Sequence, residues 1–288
     1  MVRIKAQDWQ TEFDDLMRGI AGAFLFGAPF LYTMEVWWKG NFTSPPRMML
    51  ILGIAYLGLV LLNIKGGFRA EQPRSRAQIL VESAEGLAIA LFTATLSLTL
   101  LDIVHFDAGI DAIMGRLITL SLPFSIGVGI ANNLLLKIDD DEADPAKQRE
   151  PQNDHPWRST LSDAGAAFLG AIVVGSSIAP TDEIPMISSS LEPARLLLIM
   201  ASSLLLSYII VFEANFGAQR RRRSQSGFFQ RPISETVAAY LIALATGMLM
   251  LWLFQGVRVG DPINQWVSYS IILGLPCTIG GAAGRLAV

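Results

Sequence analysis

Four glutamates stand in two pairs along this chain, and each pair repeats its local setting. Glu35 and Glu183 each follow a threonine by two positions, in Thr33-Met34-Glu35 and Thr181-Asp182-Glu183. Glu82 and Glu235 each stand seven residues before an Ile-Ala-Leu triplet. A carboxylate in an apolar segment is costly, so one that occurs there marks an ion pathway by default. Rings of carboxylates attract cations and partly replace their hydration. The chemistry open to these residues is therefore cation binding, with Thr33, Thr181, Glu35 and Glu183 at one mouth and Glu82 and Glu235 at the other. Simpler roles stand beside it. Glu35 sits next to Trp37 and Trp38, as a headgroup-level carboxylate would, and Glu82 and Glu235 suit the positive end of a helix dipole.

Two further positions match in the same way. Pro123 and Pro276 are each followed by a hydroxyl residue, Ser125 or Thr278, and then by Ile-Gly. A proline inside a helix removes a donor and frees a carbonyl, so these are expected kinks. The freed carbonyls with the Ser125 and Thr278 hydroxyls would line a polar passage, or else the kinks only shape packing between glycine-rich helices. Arg116 is an intramembrane charge that needs a partner or a wet cavity, with Asp111 and Asp102 as candidate partners, unless it snorkels outward.

Such residues need membrane-spanning helices to hold them. Hydrophobic residues make up 52% of the 288 and charged residues only 16%, where a soluble domain carries about 25% charged. The apolar residues gather in blocks of about 20, the length that crosses a bilayer core. Eight spans are predicted, at 19–38, 48–64, 79–104, 110–136, 161–179, 195–212, 233–254 and 263–287. Residues 1–18 contain four acids and are read as a short amphipathic surface helix rather than a secretory signal. Residues 137–160 form an acidic polar linker, better read as solvated than as a cation loop, since it lacks the spaced ligands of one.

Lysine and arginine set the orientation. The N-terminus and the loops after spans two, four and six hold 16 of them, against 4 in the opposite loops. That asymmetry predicts both termini in the cytoplasm, with the arginine run 220–223 as a topology anchor.

The chain also repeats itself. At an offset of 148, Gly22, Ala23, Gly27, Thr33 and Glu35 meet Gly170, Ala171, Gly175, Thr181 and Glu183, and Pro45 and Arg47 meet Pro193 and Arg195. At 153, Glu82 meets Glu235 and Leu122-Pro123 meets Leu275-Pro276. The fold expected is all-α, with two parallel four-helix repeats (19–136 and 161–288) related by a pseudo-twofold axis along the membrane normal. Functional sites in such proteins often lie at the repeat interface.

The composition excludes other classes. The net charge of −3 gives no footing for nucleic acid. The lone Cys277 allows no internal disulfide, and His105 and His155 are isolated, so no metal site or cofactor is expected. No motif of a hydrolase, metalloprotease or phosphate-binding enzyme is present. The expected partners are the lipid bilayer, an inorganic cation and, with room for self-association, a second copy of the chain.

The stretch Phe26-Gly27-Ala28-Pro29-Phe30-Leu31-Tyr32-Thr33-Met34-Glu35-Val36-Trp37-Trp38 resembles an uncharacterised family of bacterial integral membrane proteins. The resemblance implies a multi-pass protein of the bacterial cytoplasmic membrane and assigns no activity. The leading expectation is a cation channel or cation-coupled secondary transporter, not an enzyme. The alternative is a non-transporting scaffold or sensor acting through its cytoplasmic loops, with a lipid-processing enzyme third.

Overall fold

The computed structural model describes residues 6–64, 66–69, 75–104, 109–142, 156–214 and 232–287. They form ten helices and no strand: α1 (Ala6–Leu31), α2 (Met34–Gly40), α3 (Pro45–Asn63), α4 (Arg76–Leu100), α5 (Ile110–Glu142), α6 (Pro156–Ile178), α7 (Glu183–Ser190), α8 (Pro193–Tyr208), α9 (Pro232–Leu253) and α10 (Ile263–Leu286). A π-turn, Ile209–Glu213, extends α8. Proline opens α3, α6, α8 and α9, at the helical position where its missing N–H has no partner to lose.

Seven helices are long and apolar enough to cross a membrane, and eight do so if α1 and α2 count as one bent span. The predicted spans therefore hold in number, with three differences. First, α1 runs unbroken from Ala6, so the separate short surface helix of the sequence reading is the first three turns of the spanning helix. Second, the predicted span 19–38 breaks at Tyr32 and Thr33, where the chain turns by 88° into α2. Pro29 weakens the last turn of α1, and Thr33, in extended conformation, starts the new helix. Third, α5 continues to Glu142, because neither proline nor glycine interrupts residues 130–142. Residues 156–160 of the acidic linker open α6, while its residues 143–155 (His155 among them), His105 and the arginine run lie outside the described residues.

Two helices are central. α5 packs against α1, α2, α3 and α4, while α10 packs against α6, α7, α8 and α9. The span of α10 is 72% buried, against 17% for α3, whose Met49, Leu50, Leu57 and Leu61 are left to lipid. Close approach depends on glycine. A Cβ on Gly22 would lie 2.6 Å from the Gly127 carbonyl oxygen, and one on Gly170 would collide with the carbonyl of Gly280. Small residues at crossings of this kind let dispersion and backbone contact hold helices where no water drives them together. The two groups of helices meet where α1 touches α6, α10 and the π-turn, and where α4 touches α8. There, Arg195 on α8 pairs with Asp102 at 2.8 Å and donates to the Thr99 carbonyl at 2.7 Å.

Candidate functional site

The break between α1 and α2 faces the break between α6 and α7. The backbone N–H of Met34, at the start of α2, donates to Glu183 Oε1 at 3.1 Å. Between the breaks is a cleft of about 690 Å³. Glu35, Asp182 and Glu183 line it with Tyr32, Thr33, Ser177 and Thr181, and among the described residues no basic side chain does. The structure places Glu35 and Glu183 in one cleft with both threonines.

Hydrogen-bond direction decides what the cleft can bind. A hydroxyl has one proton to give and two lone pairs. Thr33 donates its proton to the Pro29 carbonyl (3.1 Å), Thr181 to Ile178 (2.7 Å), Ser177 to Val174 (2.7 Å) and Tyr32 to Ile272 (2.8 Å). All four hydroxyls therefore donate away from the cleft and can only accept within it. The exposed start of α2 would attract anions, but Glu183 occupies its first free N–H. Three carboxylates and four acceptor hydroxyls make a lining suited to a cation and hostile to an anion.

Tyr32 escaped the sequence reading. Its hydroxyl meets the one carbonyl on α10 that Pro276 orphans, because residue 276 would otherwise donate to residue 272. The available signal was Pro276 itself, which predicts an acceptor in need at Ile272 but not its donor. Asp182 was also missed as a site residue, although it stands inside the Thr181-Asp182-Glu183 motif.

The other candidates fall elsewhere. Glu82 and Glu235 lie in different surroundings. Glu82 lies in the field of Arg69, which bridges Glu12 at 3.0 Å and Glu85 at 2.8 Å. Those hydrogen bonds, Glu12's first, raise Arg69 above its ordinary value. Beside them Arg18, buried on α1, binds Asp15 at 2.6 Å and the Phe68 carbonyl at 3.0 Å. Glu235 instead pairs with Arg285, whose guanidinium also lies 5.9 Å from the Phe212 ring centre. Ser125 and Thr278 are buried, and each donates to a carbonyl of its own helix, Leu122 at 2.7 Å and Gly274 at 2.6 Å. Pro123 and Pro276 sit within unbroken helices.

Arg116 has neither of the carboxylate partners expected from sequence. It donates to the Asn41 side-chain oxygen and to the Ile103 carbonyl, while Asp102 is taken by Arg195. Packing of Gly40 against Gly115 carries the α2 end down onto α5 and sets Asn41 beside the guanidinium.

Apolar helices of spanning length around two glycine-lined central helices define a polytopic α-helical membrane protein. The chain belongs to a family described as "Putative integral membrane protein (DUF2391)", whose model matches residues 15–288. No curated protein and no solved structure matches the chain.

Proposed function

We propose that this protein is a cation channel or cation-coupled transporter of the bacterial cytoplasmic membrane. The cleft between the two helix breaks is its outer entrance, and both termini lie in the cytoplasm. The observation that carries this reading is the lining: three carboxylates and four hydroxyls whose protons are given elsewhere, with no basic side chain among the described residues. The lysine and arginine asymmetry supports the orientation, since it puts the ends of α1 and α6 outside. In this reading the protein is not an enzyme, its partners are lipid and an inorganic cation, and it needs no cofactor.

The proposal includes a duplication, with a parallel repeat and its pseudo-twofold axis passing between the breaks. Contacts at the two sequence offsets support it. Gly22 meets Gly127 as Gly170 meets Gly280, Gly27 meets Phe124 as Gly175 meets Cys277, and Gly40 meets Gly115 as Ser188 meets Ser268. Asp102 and Gln255, 153 residues apart, both adopt positive φ (55° and 62°) after a spanning helix. The next residue of each donates back to a helix carbonyl, Ile103 to Leu98 at 2.9 Å and Gly256 to Leu251 at 2.8 Å. A matched left-handed residue at a matched hydrogen-bonded cap is hard to reach by apolar coincidence.

The test is ion flux into liposomes holding the purified protein, over K⁺, Na⁺, Ca²⁺, H⁺ and Cl⁻. Cation flux is expected, falling about tenfold or more in Glu35→Gln/Glu183→Gln, which is about 1.4 kcal/mol on the barrier. Chloride flux, or cation flux that the double substitution leaves unchanged, would sink the proposal.

A further inference from the structure

We propose that Tyr32 is a movable plug, which closes the floor of the cleft by seating its hydroxyl on the Ile272 carbonyl that Pro276 orphans. This rests on reading the cleft as an ion entrance, and it names what holds that entrance shut.

Tyr32 lines the cleft, yet only 2% of its surface is exposed, so the ring lies at the floor. It occupies the single residue between the end of α1 and Thr33, where the chain turns by 88°. A side chain on such a break can swing without unwinding a helix. Its hydroxyl reaches 2.8 Å across to α10 of the other half. The acceptor matters more than the distance. Prolines inside α1, α5 and α10 each leave a carbonyl four residues earlier without its helical donor, and of these the Ile272 carbonyl is the one that Tyr32 caps. Such a carbonyl is the ligand that discontinuous or kinked helices offer to cations. With Tyr32 seated, the carbonyl is hidden from the cleft. With Tyr32 displaced, it becomes the first ligand beneath the carboxylates.

The arrangement is single, not duplicated. At the offset of 148 the counterpart of Tyr32 is Pro180, which has no hydroxyl to give. The first half therefore supplies the plug, and the second supplies the carbonyl.

The chain carries its own reporter. Cys277, its one cysteine, is fully buried and directly follows Pro276, the residue that orphans the carbonyl Tyr32 caps. The experiment treats full-length protein in lipid nanodiscs with a positively charged, membrane-impermeant methanethiosulfonate and follows the intact mass. Thr33→Cys, on the cleft wall, should label rapidly while Cys277 of the natural protein stays unmodified. Tyr32→Ala should raise the Cys277 rate about tenfold or more. Tyr32→Phe keeps the ring and so guards against misfolding; loss of one hydrogen bond should raise the rate about fivefold. If Cys277 stays as slow in both variants as in the natural protein while Thr33→Cys labels, Tyr32 is no plug. Rapid Cys277 labelling in Tyr32→Ala without cation flux in any variant would keep the plug and sink the cation reading. Cation flux with no change at Cys277 would do the reverse.

Discussion

Gly127→Val is expected to destabilise the protein by about 3 kcal/mol or more, at the upper end of what overpacking costs. A Cβ at this position meets the Gly22 carbonyl and lies 3.0 Å from the Ala23 Cα. Both obstacles are backbone, so no rotamer change on α1 relieves the clash and the whole helix must move. Moving it also opens the crossing that holds α1 on α5 and tilts the break that carries Tyr32 and Thr33. Gly53→Val is the control. Nothing lies within 4 Å of a Cβ there, and the same substitution should change stability by less than about 1 kcal/mol. In detergent, thermal unfolding of Gly127→Val should begin about 6 °C or more below the natural protein. Equal unfolding of Gly127→Val and Gly53→Val would contradict the close approach of α1 and α5.

Glu235→Leu should cost as much again, about 3–5 kcal/mol. Its partner Arg285 is 1% exposed, and Glu235 itself is 13% exposed. Removing the carboxylate takes one charged partner from a guanidinium in a site that water barely reaches. The discriminating variant is the double one, Glu235→Leu/Arg285→Leu. Deleting both charges removes the desolvation cost along with the attraction, so the double variant should be more stable than Glu235→Leu alone. Glu85→Gln offers the contrast, for Glu85 is 44% exposed where it meets Arg69. Screening by solvent limits that pair to about 1 kcal/mol or less. A double variant no more stable than the single one would mean that Arg285 is held by something other than its charge.

The spans were legible because hydropathy marks them; α9 differs from expectation by one residue at each end, and α10 by one residue at its C-terminal end. The break at Tyr32 was not, because apolar content says nothing about direction. Residues 19–38 stay apolar through an 88° turn. α7 was hidden for the opposite reason, since Ser188, Ser189 and Ser190 make a helix look like a loop. Glu35 and Glu183 line one cleft, and the sequence signal for it was the Thr-x-Glu pattern that both share. Glu82 and Glu235 stand in different surroundings, Glu235 on Arg285 and Glu82 beside the Arg69 cluster, which their matched sequence settings did not foretell. Arg116 shows the limit of proximity in sequence. The nearest carboxylates were nominated, whereas folding offered an amide oxygen and a backbone carbonyl. Tyr32 and Ile272 are 240 residues apart, and only the fold could introduce them.

The central claim is that a cation enters between the two helix breaks. The most direct measurement is anomalous diffraction from crystals of the protein soaked in rubidium or barium. The account predicts a peak in the cleft, coordinated by carboxylate oxygens of Glu35, Asp182 or Glu183, and no such peak in Glu35→Gln/Glu183→Gln. A cleft without cation density, or one that holds bromide in a parallel soak, would contradict it.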